Sequence, residues 1–371
     1  MTDALRLELR FAAFMAALVG LYFLIVAAFA AEFGQSGMFD ISSFNPMVLA
    51  VWGITLGFLV IAFCLDTAIR QPRNFLPTIA VSLRKHVLRS DALLARATIF
   101  LAWFFMMYAF SPFKAMIGRV RGFPFDASIA HLDRTIFFGH DAWQITHAIF
   151  GAPVPTMFLQ VCYNAWFVMM WLSVIYCIVR SDDVVLRTRF SVAFVLCWML
   201  IGSLAAYFLA SAGPCFYQRA FGDAHFAPLM AHLANLNGQI AAELPNMKLA
   251  SLDMQSWLWQ AYADNTNPFG AGISAMPSVH VGVATLLALG SYEVNKRSGQ
   301  IMTIYALLIW IASIHLGWHY AADGIIAGMM TVLIWRLSGL LTHKVILSEG
   351  QMLGEAEAGL SPAYSGEALP D

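Results

Sequence analysis

The chain has 371 residues, of which 60% are hydrophobic and only 12% charged, with a formal net charge of −1. That composition excludes an ordinary soluble domain. A charge this close to zero says nothing about partners, and the sequence carries no nucleic-acid signature.

Between a few charged clusters lie apolar runs close to the ~20 residues needed to cross a ~30 Å hydrocarbon core. They predict an all-α polytopic membrane protein with about eight transmembrane helices, at 11–31, 46–66, 94–112, 155–179, 190–211, 277–292, 299–317 and 322–342. The first run follows Arg6 and Arg10 and ends in Ala28-Phe29-Ala30, like a signal-peptidase site. Its length exceeds a signal h-region, so an uncleaved helix is expected. Segment 67–93 is basic and partly amphipathic, suited to the cytoplasmic membrane surface. The domain reading is therefore two N-terminal helices plus this surface segment over 1–93, a six-helix core over 94–346, and a polar, disordered tail over 347–371.

Eight crossings put both termini on one side. That side collects fifteen of the 21 lysines and arginines, against Lys114, Arg119, Arg121, Arg134, Arg219 and Lys248 on the other. By the positive-inside rule the termini are cytoplasmic, and loops 32–45, 113–154 and 212–276 face the periplasm, the exterior or a lumen. The latter two are rich in aromatic residues and are expected to fold onto the outer face as interfacial helices. The five cysteines form no framework and no CxxC or Cys/His zinc spacing.

Ionisable residues at membrane depth need a reason. "MPSVH" opens the sixth helix with Pro277, Ser278 and His280. "SIHLGWHYAADG", residues 313–324, joins the seventh and eighth helices and carries His315, His319 and Asp323. The alternation of helices brings His280, His319 and Asp323 to the same membrane face. Pro277 suits a first helical turn, and the N–H groups beside Ser278 form an anion-binding terminus. His319 and Asp323 are four apart and share a face if helical. A carboxylate there holds one ring N–H and raises the nucleophilicity of the other nitrogen. A second histidine supplies an acid, and together these are the requirements for phosphoryl transfer. The spacing of His315, His319 and Asp323 also suits metal ligation on a helix, as in a zinc-dependent, ceramidase-like intramembrane hydrolase. A proton-coupled transporter that relays protons through the same residues is the non-enzymatic alternative.

These segments resemble the type 2 phosphatidic acid phosphatase (PAP2) superfamily. "PSVH" resembles its PSGH motif, and "HYAAD" its H-x-x-x-D motif, over roughly residues 95–342. The resemblance implies a six-helix catalytic core, His319 as nucleophile and Asp323 as its orienter. It further implies His280 as proton donor and acceptor, Ser278 as a phosphate contact, and no metal or other cofactor. The expected partners are a membrane lipid phosphate or phospholipid, with a polyol or lipid hydroxyl as acceptor. Two departures stand out. Ser313 occupies the place of the arginine six residues before the nucleophile, and "SAGPCFYQR" stands where K-x6-R-P belongs. They resemble the branch that contains inositol phosphorylceramide synthase, which implies a sphingolipid headgroup phosphotransferase; a lipid phosphatase is the alternative. "KAMIGRVRG" has the K-x6-R spacing two helices too early, with glycine in place of proline. Lys114, Arg121, Tyr217 and Arg219 are therefore candidate phosphate or headgroup contacts.

Overall fold

The structure is a computed structural model. It describes residues 3–38, 90–179, 183–244, 246–268 and 270–344, together with scattered positions between 53 and 64. The expected helix at 46–66, the surface segment 67–93 and the tail from 347 lie essentially outside the described residues.

All regular structure among the described residues is helical. Six helices are long and apolar enough to cross a membrane. They are α1 (Asp3–Glu32), α2 (Ser90–Arg121), α5 (Pro153–Val179), α6 (Val184–Phe208), α11 (Lys296–His315) and α12 (Ala321–Thr342). The short apolar helix α10 (Val279–Val294) is the sixth run of the sequence. The segments between the long helices fold as α3 (Asp126–Ile136), α4 (Ala142–Phe150), α7 (Tyr217–Phe221), α8 (Ala227–Glu243) and α9 (Ala250–Ala263).

One boundary corrects the expectation. The third run does not end at 112: α2 carries Pro112 in its interior and continues to Arg121. Lys114 and Arg121 are therefore helix residues, and the outer segment begins near 122. Proline is tolerated inside membrane helices, where packed neighbours satisfy the freed backbone groups.

Large apolar side chains point away from the bundle on α1 (Leu21, Leu24), α5 (Phe158, Val161), α11 (Ile301, Ile304) and α12 (Met329, Leu333). An apolar exterior around an apolar core is the pattern of a lipid-facing bundle. α10 packs against α5, α6, α11 and α12, which explains why sixteen residues suffice there. Small residues allow this closeness. A Cβ on Gly282 would meet Ile201 Cδ1 at 3.0 Å, and one on Gly202 would meet Phe110 and Val279. The middle of α6, Cys197–Ala205, is π-helical, with the Ala206 N–H reaching back to the Ile201 carbonyl. Its Ser203 bonds the Tyr22 hydroxyl of α1 at 2.7 Å.

The shorter helices form a second apolar layer. Ile129 and Ala130 of α3 pack with Leu229, Leu233, Leu236 and Ile240 of α8, and with Tyr320 and Ala322 at the start of α12. α9 lies against the turn after α11: the Gln255 amide donates to the Leu316 carbonyl at 2.9 Å, and the Trp318 indole to the Ser251 hydroxyl at 3.3 Å. The layer is therefore seated on the α11–α12 turn.

Candidate active site

The site forms where α10 begins and where α11 hands over to α12. α11 ends in a left-handed glycine cap. Gly317 has φ +76°; its N–H donates to the Ile314 carbonyl, and the Trp318 N–H to the Ser313 carbonyl at 2.9 Å. Ser313, which stands where the resembled motif has arginine, is fully buried as part of this cap and donates its hydroxyl to the Trp310 carbonyl. The reversal delivers His319 to the end of the bundle where α10 begins.

His319 lies just before α12 rather than within it, so the expected shared helical face is replaced by a cap. Asp323, in the first turn, reaches back. Its Oδ2 accepts the Tyr320 N–H at 3.0 Å and meets His319 Nδ1 at 3.2 Å. One carboxylate oxygen thus caps the helix and holds the ring. Both residues are buried.

The other half arrives through α10. Pro277 lies outside the helix, not in its first turn. Ser278 is the N-cap, and its hydroxyl oxygen accepts the Val281 N–H at 3.4 Å. The Ser278 N–H donates to the Asp323 carbonyl at 3.2 Å, joining the two segments main chain to main chain. The His280 ring stacks on Tyr163 at 4.7 Å and lies 4.3 Å from the Trp166 ring; its carbonyl accepts the Trp166 indole N–H. The His280 and His319 ring centroids are 6.2 Å apart.

The four candidate phosphate contacts separate. Lys114 is half-buried and lies within electrostatic range of His280. The loop before Pro277 crosses it so closely that a Cβ on Gly272 would meet the Lys114 carbonyl carbon at 2.8 Å. Arg121 is exposed and sits over the Tyr207 ring at 5.5 Å. Arg219 is exposed on α7. Tyr217 packs against Phe221, His225 and Phe226 and lines an outer groove of about 570 Å³ with His131, Arg134 and Asp223. Burial, then the Asp223 and Asp126 charges, push its phenol up. Of the four, Lys114 alone is brought to the histidines.

His315 does not join His319. Its ring stacks on His147 at 3.9 Å, and its Nε2 lies 3.0 Å from the Thr156 hydroxyl. Among the described residues no three His, Cys, Asp or Glu side chains group as metal ligands, so the proposed i, i+4, i+8 ligand set does not converge. Burial lowers His147 to about 4.

Two residues escaped the sequence reading. Asp126 and Asp133 of α3 are buried and face the site. Asp126 accepts the Ala212 and Gly213 N–H groups at 2.7 and 2.8 Å and the Tyr320 hydroxyl at 2.8 Å. Asp133 accepts the Ala321 and Ala322 N–H groups at 2.6 and 2.8 Å. Burial raises each carboxyl to about 6, against the pull of these donors. Their signal in the sequence was acid at positions 126 and 133 on the same stripe as Ile129 and Ala130, an apolar face that should carry none. Asp133 and Asp141 also wall a space of about 10 Å³ beside His319, about the room one water needs.

A family model of the PAP2 superfamily matches residues 127–337, more than half of the chain. The chain belongs to the PAP2 superfamily. Enzymes of this superfamily are phosphatases and phosphotransferases acting on lipid phosphates, and six apolar helices make this member an integral membrane protein. Comparisons with curated proteins and with solved structures return no match.

Proposed function

We propose that this PAP2 protein is a lipid phosphotransferase working through a phosphohistidine on His319, at the outer membrane face. The observation that carries the reading is the geometry of three side chains: Asp323 on His319 Nδ1, with the His280 ring 6.2 Å away. That separation places the two rings on the same reaction centre, one to attack phosphorus and the other to serve the leaving oxygen.

In the proposed cycle His319 Nε2 attacks phosphorus. A P–N bond forms as the P–O bond to the leaving group breaks, and His280 gives its proton to that oxygen. An acceptor hydroxyl then returns a proton to His280 and attacks phosphorus, and the P–N bond breaks. Asp323 holds Nδ1–H throughout and stabilises the charged ring. Lys114 offsets the phosphate charge, and the Ser278 hydroxyl hydrogen is free to donate although its oxygen caps α10. Arg121, Arg219 and Tyr217 have no part in this scheme.

The acceptor is proposed to be a polyol or lipid hydroxyl, as in inositol phosphorylceramide synthase. What supports this is the departure from the phosphatase motifs: Ser313 is built into the α11 cap, and Gly213-Pro214 replaces the usual cationic segment. The termini are assigned to the cytoplasm and the site to the opposite face from the lysine and arginine distribution. Incubation of the purified protein with labelled phospholipids, with and without inositol or ceramide, tests the acceptor. A new phospholipid that depends on the added acceptor supports transfer, whereas inorganic phosphate alone makes the protein a phosphatase.

A further inference from the structure

We infer that Asp126 and Asp133 of α3 are positioning residues that hold the two histidine-bearing segments in register. The inference rests on the phosphohistidine reading for its catalytic consequence, and on hydrogen bonds alone for its geometry.

The two carboxylates are seven residues apart, about two helical turns, so they project from one face. Each takes a different segment. Asp133 receives the first two free N–H groups of α12, those of Ala321 and Ala322, with only Tyr320 between them and His319. It does for α12 what a capping side chain would do, but from another helix, so the place of His319 depends on α3.

Asp126 receives the Ala212 and Gly213 N–H groups. The adjoining Ser211 accepts from the loop before His280: the Ala275 N–H donates to its carbonyl at 2.9 Å and the Met276 N–H to its hydroxyl at 3.0 Å. Gly213 fills the seam, since a Cβ there would meet the Trp318 carbonyl oxygen at 2.7 Å and Ala275 Cβ at 3.0 Å. The Tyr320 hydroxyl, also on Asp126, closes the frame back to the His319 segment. A nucleophile and its acid from separate helices need a common reference, and α3 provides it.

The role is distinct from bulk stability. Three of the five donors, the Ala321 and Ala322 N–H groups and the Tyr320 hydroxyl, lie just after His319. The other two, the Ala212 and Gly213 N–H groups, belong to the segment that Ser211 ties to the loop before His280. Removing the charge at Asp133 leaves the hydrophobic seat of α3 on α8 in place, so the effect should fall on the alignment of His319.

The test uses full-length protein in detergent, with the parent, Asp133→Asn, Asp126→Asn and His319→Ala compared on phosphatidic acid and phosphatidylinositol in mixed micelles. The expected result is a kcat per folded molecule reduced about 10- to 100-fold in each aspartate variant, with KM changed by no more than about threefold. A second arm needs no turnover: carbethoxylation of His319 by diethyl pyrocarbonate, read by peptide mass spectrometry, should speed up several-fold once the turn is released. A kcat within about twofold of the parent, or a loss confined to the yield of folded protein, would overturn the inference. If parent and His319→Ala are equally inactive on both lipids, the phosphohistidine reading fails instead. The modification arm then decides alone, and an unchanged His319 rate overturns the positioning role.

Discussion

The Ser278 N–H and the Asp323 carbonyl lie 3.2 Å apart, so the start of α10 and the first turn of α12 are bonded main chain to main chain. Neither side chain is needed for that contact. It fixes the place of His280 relative to His319 whatever the substrate, and the catalytic predictions below follow from it.

His280→Gln should separate the two chemical steps. Without the proton donor and acceptor, turnover should fall about 10²- to 10⁴-fold while the phosphoenzyme on His319 becomes longer-lived. Rapid-quench counting of label on the protein checks this. A phosphoenzyme that decays at the parental rate would remove His280 from the second step.

Lys114→Met should lower kcat/KM about 100-fold, with Lys114→Arg recovering part of the loss. Arg121→Met should stay within about twofold of the parent, because Arg121 sits over Tyr207 rather than near the histidines. Steady-state kinetics of the three variants side by side would show whether position on α2, rather than charge alone, decides the effect.

Gly213 has φ +96° and ψ 165°, a region essentially closed to other residues, and it is wedged against Trp318. Gly222 also has a positive φ, +71°, but nothing lies within 4 Å of the place its Cβ would take. Gly213→Ala should therefore destabilise by about 1–3 kcal/mol and cost activity, whereas Gly222→Ala should cost about 1 kcal/mol and leave activity unchanged. Thermal melts and specific activity of the two variants check the contrast.

The buried carboxyls set a pH dependence with a definite sign. Asp133 is raised from its ordinary 3.8 to about 6 by burial, so the folded protein holds this proton more tightly than the unfolded chain. Its contribution to stability therefore falls as pH rises from about 4 to 6, by up to ~3 kcal/mol, and the deficit is complete above about 6. His147 acts oppositely: lowered from 6.5 to about 4, it costs stability as pH falls through that window. Asp126, raised to about 6 in the same way, adds to the Asp133 effect, so the parent's melting curve mixes these contributions. The difference between Asp133→Asn and the parent, measured from pH 4 to 7, isolates that of Asp133 and should move in the variant's favour as pH rises.

Six of the eight expected membrane helices were legible because apolar runs of bilayer length have few other uses, and the grouping of His280, His319 and Asp323 at one end of the bundle was expected from counting crossings. Three things were not. The third run was expected to end at 112, yet α2 continues through Pro112 to Arg121. The four-residue spacing of His319 and Asp323 looked helical, whereas Gly317 ends α11 and a reach-back cap makes the contact. Asp126 and Asp133 were missed because a carboxylate that caps a distant helix leaves no trace in the local sequence around that helix. Conversely, the spacing of Lys114 and Arg121 matched a motif, but two helical turns, about 10 Å of rise, separate them along α2, and Arg121 sits over the Tyr207 ring.

The most direct measurement is trapping of the covalent intermediate. Purified protein is mixed with lipid carrying labelled phosphate, quenched in base, and digested for mass spectrometry. The expected result is an acid-labile, base-stable phosphate on His319 that forms as fast as turnover and is absent from His319→Ala. Turnover that persists in His319→Ala, or a parent that turns over without labelling this residue, would contradict the phosphohistidine mechanism.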